Sequence, residues 1–150
     1  MSAYAELAVT SNFSFLRGAS DPEELVGRAK RLSLAGIGIA DRNSVAGVVR
    51  AHVKARALAE EEGAAIKLAL GTRLVFADGT PDILAYPRDR SAWGRLTRLL
   101  SLGKRRAEKG GCILGLDDLL SHIEGLNLIV MPASVISHLV RVAAHAAAGR

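Results

Sequence analysis

The fold is decided by residues 4–18, YAELAVTSNFSFLRG, and residues 36–43, GIGIADRN. Each stretch begins with apolar residues that predict a short buried strand, and each ends in a polar loop. In parallel α/β folds, ligands and catalytic groups collect in the loops at the carboxyl ends of the strands. The residues of these two loops are therefore the first candidates for a functional site.

A first helix is predicted after the loop at residues 10–19. Ser20 is the expected N-cap, Pro22 has its φ angle preset for the first turn, and Glu23 completes a capping box. Apolar residues at helical spacing continue to about residue 35, and Gly36 is the expected stop. The next apolar run, residues 37–40, predicts a second strand.

A longer helix is predicted from a cap at Asn43 or Ser44 to a stop at Gly63. Its expected buried face consists of Val45, Val48, Val49, His52, Val53, Ala57 and Leu58. Residues 66–76 then predict a strand, in which Gly71 indicates a bulge or the close approach of another backbone.

The second half of the chain continues this alternation. Residues 78–80 predict a tight turn, and residues 83–86 predict a strand that either returns antiparallel or extends the sheet. The helix that begins at Ser91 and breaks at residues 110–111 has an expected buried stripe of Trp93, Leu96, Leu99 and Leu100. Three further elements are predicted at residues 116–120 (helix), 126–131 (strand) and 133–148 (helix). This order predicts an α/β fold with mostly parallel strands, in a sheet or a barrel.

The composition and the charge describe one globular domain with a local basic surface. The chain has 150 residues, of which 49% are hydrophobic and 23% charged, which excludes a disordered protein. The formal net charge is +5, but residues 88–109 carry eight basic and two acidic side chains, so the rest of the chain has a charge of only −1. A local basic surface is typical of a nucleic-acid contact.

The cysteine count and the absence of targeting patterns indicate a reducing compartment. Cys112 is the sole cysteine, which excludes an intramolecular disulfide and a cysteine-based zinc site. No signal-peptide pattern and no apolar run of membrane-spanning length is present. We therefore expect a cytoplasmic protein without a membrane partner. The histidines are not expected to bind metal, since they fall on predicted helices or helix ends: His52, His122, His138 and His145.

Four segments in collinear order resemble the N-terminal PHP (polymerase and histidinol phosphatase) domain of bacterial DNA polymerase III α-subunits. They are YAELAVTSNFSFLRGAS, GIGIADRNSVAGVVRAH, GRLTRLLSLGKRRAEKGG and LDDLLSHIEGLNLIVMP. The ADRNSVAGVVRAH and SLGKRRAEKG stretches are most similar to the error-prone, damage-tolerant branch of these C-family polymerases. The resemblance implies a distorted (β/α)7 barrel, of which residues 1–150 would form a single PHP-like domain that is incomplete at its C-terminus.

Active members of this family hold two or three divalent metals at the carboxyl ends of the strands and hydrolyse phosphoester bonds, a chemistry that needs His, Asp and Glu ligands. By the resemblance, Ala8 and Thr10 occupy the positions of two histidine ligands, and Arg17 occupies that of an acidic residue. Arg42 and Arg73 stand where a histidine and a glutamate are usual. Asp41 is the one ligand-type residue that carries over.

These replacements imply a degenerate metal site. Two like unit charges about 4 Å apart repel by roughly 4 kcal/mol at an effective dielectric near 20, so a divalent cation is not expected among three arginines. Asp41 is instead expected to accept hydrogen bonds at the start of the second helix or to pair with Arg17, Arg42 or Arg73. The arginines themselves are either solvated or salt-bridged, or form an anion site for phosphate.

The basic run also has two interpretations. Its candidate contact residues are Arg98, Lys104, Arg105, Arg106 and Lys109. They form either a solvated face or a contact to nucleic-acid phosphate or to another domain. Because no aromatic residues are interleaved with them, nucleic-acid binding through this run would be nonspecific and salt-sensitive.

The resemblance implies a parent DNA-directed DNA polymerase of DNA replication and translesion repair, with Mg²⁺ held by carboxylates of a downstream palm domain. This segment is expected to be catalytically inactive, without a cofactor of its own, and to have a structural or interaction role. The implied partners are the remaining polymerase domains, DNA and replication or translesion accessory proteins. Two alternatives stay open: a metal-dependent phosphoesterase or 3′–5′ exonuclease of the PHP family, and a basic nucleic-acid-binding module.

Overall fold

The computed structural model describes residues 4–63 and 65–132, which form a five-stranded sheet and four helices. In chain order the elements are β1 (Ala5–Val9), α1 (Pro22–Arg31), β2 (Gly36–Arg42), α2 (Val48–Glu62), β3 (Lys67–Leu74), β4 (Ile83–Pro87), α3 (Arg90–Arg105), α4 (Leu116–Leu120) and β5 (Leu126–Val130).

The strands lie in the order β1-β2-β3-β4-β5. The β1–β2 and β2–β3 pairs are parallel, as helical crossovers require, whereas β4 pairs antiparallel with both β3 and β5. Four of the five strands therefore run in one direction. The sheet curls into a half-barrel, which confirms the expected α/β class and partial barrel with mostly parallel strands.

Helices cover one face of the sheet. A first buried cluster joins α1 and α2 to β2 and consists of Val26, Ala29, Ile37, Ile39, Ala51, Ala55, Leu58 and Ile66. A second cluster joins α3 to β3 and β4 and consists of Leu74, Ile83, Ala85, Leu96, Leu99, Leu100, Leu114 and Leu119. Full burial of one such aliphatic side chain contributes about 1.5–3 kcal/mol. The two clusters thus fix the strand ends from which the site is built.

The opposite face of the sheet is crossed by Tyr86 of β4, whose hydroxyl donates a hydrogen bond to the carbonyl of Leu7 in β1. Two glycines leave room for this ring. A Cβ atom at Gly38 would lie 2.8 Å from the Tyr86 oxygen, and one at Gly71 would lie 2.3 Å from the carbonyl oxygen of Ala85. The close approach predicted at Gly71 is therefore confirmed. Burial raises the pKa of Tyr86, so the phenol keeps its proton and this donor bond.

The start of α1 is one residue later than predicted. Asp21 is the N-cap, and its backbone N–H donates to Glu24 Oε2 at 3.4 Å. The prediction of Ser20 as the cap with Glu23 as its partner is wrong because Pro22 occupies the first helical position, which moves the capping box forward. The helix also ends earlier, at Arg31, and Gly36 begins β2 instead of stopping α1.

The helix α2 begins after Gly47, not after Asn43 or Ser44. Its buried face consists of Val48, Ala51, Ala55 and Leu58. The predicted face was partly wrong, since Val49 and Val53 are 67% and 60% exposed and His52 is exposed. The helix turns its alanines inward because small side chains let it lie close to α1 and the sheet. Gly63 ends α2 with φ +67°, as predicted.

Two more predictions need correction. The strand β1 was expected to be buried, but Ala5, Leu7 and Ala8 are exposed because β1 lies at the edge of the sheet. In α3 the buried stripe includes Ala92 and leaves Trp93 half-buried, and the helix ends at Arg105, before the two glycines expected to break it.

The predicted turn at residues 78–80 is present, with Gly79 at φ +89°. Asp78 connects this turn to α4, since its carboxylate accepts hydrogen bonds from the backbone N–H of Thr80 at 3.0 Å and of Leu116 at 2.7 Å. Hydrogen bonding by the Thr80 side chain, and then by the Leu116 and Thr80 amides, lowers the pKa of Asp78 to about 2. The helix predicted at residues 133–148, with His138 and His145, lies outside the described residues.

Candidate functional site at the carboxyl ends of the strands

The two loops singled out from the sequence meet at the carboxyl ends of β1 and β2. The loop after β1 folds back on itself, with the Ser14 N–H donating to the Ser11 carbonyl at 3.0 Å and the Gly18 N–H donating to the Ser14 carbonyl at 3.2 Å. A side chain at Gly18 would prevent this, because its Cβ atom would lie 2.2 Å from the Ser11 oxygen. The compact loop brings two serine side chains to the end of β2.

Asp41 receives these serines. The side chain of Asp41 is buried, with the whole residue 1% exposed. Its Oδ1 accepts hydrogen bonds from the Ser11 N–H at 2.8 Å and the Ser14 hydroxyl at 2.7 Å, and its Oδ2 accepts one from the Ser11 hydroxyl at 2.7 Å. The Ser14 oxygen in turn accepts from the Arg42 N–H at 2.9 Å. Both carboxylate oxygens are therefore engaged in holding the first loop to β2.

This finding corrects the expected partners of Asp41. Neither the start of α2 nor an arginine is among its side-chain hydrogen-bond partners within residues 4–63 and 65–132. An arginine was expected because its charge is opposite to that of a carboxylate. The Asp41 carboxylate instead accepts its hydrogen bonds from the serines, so no second ion is buried beside it. The positions of Ser11 and Ser14, three apart in a loop after a strand, were the signal that sequence reasoning missed.

Thr72 and Asn43 extend the same hydrogen-bond network to β3. The Thr72 hydroxyl donates to the Asp41 carbonyl at 2.7 Å and accepts from the Ser44 N–H at 3.1 Å. Asn43 adopts φ +45°, and its side-chain amide both accepts from the Val75 N–H at 2.9 Å and donates to the Val75 carbonyl at 3.2 Å. The Asn43 side chain is thus bound to Val75, directly after β3, and does not cap α2, whose N-cap is Gly47.

The three predicted arginines do come together. Arg42 and Arg73 are register partners in the parallel β2–β3 pair, so their side chains leave the sheet on the same face. With Arg17 from the first loop they line a cavity of about 350 Å³, together with Thr10, Val75 and Asp82. The positions that carry metal ligands in the implied family therefore form a cationic cavity here.

One of these arginines has a carboxylate partner. The Nε and Nη2 atoms of Arg73 each lie 2.7 Å from Asp82 Oδ2, which confirms the salt-bridged alternative for Arg73. The pKa of Arg42 is lowered by burial first and by the charge of Arg17 second, while Asp82 acts in the opposite direction. Arg42 is thus held in an environment with an excess of positive charge.

The residues present do not fit a divalent metal. Thr10 and the arginines offer no imidazole or carboxylate ligand, and the carboxylate of Asp82 is paired with Arg73. The oxygens of Asp41 already accept three short hydrogen bonds. The part of the chain that the structure describes contains no group of three or more His, Cys, Asp or Glu side chains that could hold a metal ion. Ala8, at the other expected histidine position, is exposed on β1.

The basic run reaches the same end of the sheet only in part. Lys104 and Lys109 line a groove of about 990 Å³ that also contains Arg17 and Arg42. Arg106 instead pairs with Asp118 at 2.6 Å, whereas Arg98 and Arg105 are exposed and do not line that groove. The prediction treated the run as one surface, but its members have different surroundings, since only Lys104 and Lys109 line the groove.

Aromatic side chains from a distant part of the sequence lie in this groove. Phe13 and Phe15 of the first loop line it together with the lysines, and Phe15 is 84% exposed. The sequence argument that no aromatic accompanies the basic run missed them because they lie about ninety positions earlier. Cys112, also in the groove, is half-buried, and burial raises the pKa of its thiol, which makes it a poor nucleophile.

Sequence comparison shows the class of protein to which this chain belongs. Residues 6–148 match the PHP domain family, and this chain belongs to that family. It is 56% identical over 131 residues to the error-prone DNA polymerase of Rhodopseudomonas palustris (strain BisB5), covering 87% of this chain and 12% of that protein. The corresponding enzyme of Sinorhizobium medicae is 58% identical over 133 residues, covering 89% of this chain and 11% of that protein.

A third relative extends the match further along the chain. The error-prone DNA polymerase of Caulobacter vibrioides is 54% identical over 145 residues, which is 93% of this chain and 13% of the relative. The chain therefore spans only about an eighth of the length of the curated relatives it matches. The match to the error-prone branch confirms the resemblance noted in the sequence.

Solved structures show the same fold at low sequence identity. A protein from Bifidobacterium adolescentis, provisionally described as a metal-dependent phosphoesterase, superposes with a TM-score of 0.52 and 22% identity over 83% of this chain and 44% of its own. An amidohydrolase from Chromobacterium violaceum, solved with bound sulfate and no metal, gives a TM-score of 0.53 and 24% identity over 69% of this chain and 34% of its own. Among the described residues, no helix is long and apolar enough to cross a membrane.

Proposed function

We propose that this chain is the PHP segment of an error-prone, damage-tolerant DNA-directed DNA polymerase, and that it acts there as a structural and interaction module without hydrolytic chemistry of its own. The observation that carries the proposal is the state of Asp41, whose carboxylate holds the first loop through Ser11 and Ser14. An aspartate that holds a loop through hydrogen bonds has a structural role, and its oxygens are not free to bind a metal. The 54–58% identity to three error-prone DNA polymerases supports the parent activity.

An interaction surface for the proposed module is offered by the tip of the first loop. Phe15 and Leu16 are 84% and 89% exposed, and Leu16 has φ +60°, an unusual backbone conformation for a leucine. Exposed large apolar side chains next to one another are typical of surfaces that contact a partner. The partner under this proposal is another domain of the same polymerase, while DNA and accessory proteins of replication or lesion bypass are reached through the whole protein.

The parent activity is tested by primer extension with the full-length polypeptide that contains this chain, on an intact template and on one with an abasic site. We expect Mg²⁺-dependent synthesis on both templates, with the Mg²⁺ bound outside this segment. Failure to extend either primer, together with metal-dependent hydrolysis of single-stranded DNA by this chain, would identify the PHP phosphoesterase or exonuclease alternative instead.

The interaction role is tested by replacing Phe15 and Leu16 with serine, with Val49→Ser on α2 as a control because Val49 is also exposed. We expect the loop variants to lower the thermal midpoint of the full-length polypeptide but not that of the isolated chain. Equal effects in both proteins would mean that these side chains serve the fold of the segment itself.

A further inference from the structure

The paired arginines at the end of the sheet require a compensating charge. Arg42 and Arg73 face each other in the β2–β3 register. Like charges directly opposite on neighbouring strands destabilise a sheet. Asp82 compensates Arg73 through two contacts of 2.7 Å. One carboxylate does not balance three guanidinium groups, so the ionisable side chains that line this cavity carry a formal charge of +2.

Arg17 and Arg42 carry the remaining charge. Within residues 4–63 and 65–132, neither side chain makes a hydrogen bond or an ion pair with a carboxylate, although both line the cavity. Their backbones are fixed, however. The Arg17 N–H donates to the Ser14 carbonyl at 2.9 Å, and the Arg42 N–H donates to the Ser14 hydroxyl at 2.9 Å. The two arginines without a carboxylate partner are thus both anchored to Ser14 through their backbone N–H groups.

We propose that this cavity is a binding site for a phosphate group, with the guanidinium groups of Arg17 and Arg42 as its charged donors and Arg73 as the third cation beside them. Guanidinium groups bind phosphate oxygens through paired, charge-assisted hydrogen bonds. The cavity of about 350 Å³ is larger than an orthophosphate ion requires, so it also admits the phosphate of an ester. The inference stands on this geometry and does not depend on the polymerase assignment.

The electrostatics of Arg42 agree with such a ligand. Partial burial and then the charge of Arg17 lower its pKa, so a nearby anion would favour the guanidinium charge. A bound anion reverses the second effect and offsets the first. The direction of the pKa shift therefore agrees with an anion beside Arg42.

The surroundings also suggest where a longer ligand would lie. Arg17 and Arg42 line both this cavity and the larger groove that contains Lys104, Lys109 and Phe15. A phosphodiester strand with one phosphate on the two arginines extends toward the lysines, and an exposed phenylalanine offers a face on which a base can stack. The phosphate therefore comes either from a free ion or from a nucleic-acid strand, and the experiment separates the two.

The test is isothermal titration calorimetry on the full chain at constant ionic strength. Sodium phosphate is titrated in one arm and a single-stranded oligothymidylate in the other. The variants are Arg42→Gln and Arg17→Gln, and the matched control is Arg88→Gln. Arg88 is exposed and follows β4, which runs antiparallel to β3, so it lies at the other end of the sheet, and its loss changes the net charge by the same amount.

We expect saturable binding in at least one arm, and Arg42→Gln and Arg17→Gln should each weaken it about tenfold or more, since each removes a charge-assisted contact. Arg88→Gln should change it by less than about twofold because only screened long-range attraction is lost. Binding of both probes identifies a site that accepts the free ion, whereas binding of the oligonucleotide alone identifies the strand phosphate.

Two results would overturn the proposal. One is the absence of saturable binding in both arms, and the other is an equal loss of affinity in Arg42→Gln, Arg17→Gln and Arg88→Gln, which would indicate a diffuse charge effect. Circular dichroism confirms that each variant is folded. If Arg42→Gln unfolds, Arg17→Gln decides the question, because Arg17 lies on a loop, whereas Arg42 is the last residue of β2.

Discussion

Replacing Asp41 with asparagine should destabilise the fold by about 2–4 kcal/mol. The carboxylate is buried and accepts three hydrogen bonds of 2.7–2.8 Å from Ser11 and Ser14. Hydrogen bonds to a charged group contribute about 1.5–3 kcal/mol each. Asparagine keeps one acceptor oxygen, but its NH₂ group faces the Ser11 hydroxyl in place of Oδ2. One bond is then lost or reversed, and the other two lose their charge.

The assay is urea unfolding of the chain followed by circular dichroism. With a slope of about 2 kcal/mol per molar urea, which is typical of a small protein, the expected loss moves the midpoint by roughly 1–2 M. Asp117→Asn is the matched control, because Asp117 is exposed on α4, and its expected effect is within about 0.5 kcal/mol. Equal midpoints for the two variants would refute the structural role of Asp41. So would a wild-type midpoint that rises with Mn²⁺ or Zn²⁺ while that of Asp41→Asn does not.

The remaining predictions concern the sheet and the turn before β4. Gly71→Ala should lower the free energy of unfolding by about 2 kcal/mol or more, or prevent folding, because its Cβ atom would lie 2.3 Å from the Ala85 carbonyl oxygen and 2.6 Å from the Tyr86 ring. Gly94→Ala, inside α3, should leave the free energy of unfolding unchanged or raise it by up to about 1 kcal/mol, because a Cβ atom there has nothing within 4 Å of it. A smaller loss for Gly71→Ala than for Gly94→Ala in urea unfolding would contradict this account. Asp78→Asn should lower stability above pH 4, and its difference from wild type should vanish as the pH falls through about 2. A folded-state pKa below that of the unfolded chain stabilises the fold only where the unfolded carboxyl is ionised. A pH-independent difference between the two proteins would show that the charge of Asp78 contributes nothing.

Local patterns predicted the elements of the fold well, whereas the faces of those elements depended on packing. Apolar runs and glycine signals located the five strands, and Gly63 and Gly71 fulfilled the roles expected of them. Val49 and Val53 are more hydrophobic than Ala51 and Ala55, so hydrophobicity alone placed them in the core. The alanines are buried instead, because α2 packs closely against its neighbours, and a single sequence does not reveal that packing distance.

The position of the site was predicted from the sequence, but the hydrogen-bond partners of Asp41 were not. The family resemblance selected Arg17, Arg42 and Arg73 as replaced ligand positions, and the parallel strands bring them to one cavity because their carboxyl ends lie together. The choice of Ser11 and Ser14 as partners of Asp41 depends on how the first loop folds back, and this conformation depends on Gly18. Likewise, Phe15 lines one groove with Lys104 and Lys109, at a separation in sequence that no local pattern spans.

We propose that this PHP domain is a platform in which a cationic, hydrogen-bonded structure stands at the positions of the family's metal ligands. Hydrolysis of p-nitrophenyl phosphate and of single-stranded DNA by the chain with Mn²⁺, Zn²⁺ or Mg²⁺ tests this most directly. We expect no turnover above the rate without protein, for any of the three metals. Turnover that requires one of these metals, is stopped by a chelator and is lost in a folded Asp41→Ala variant would contradict it.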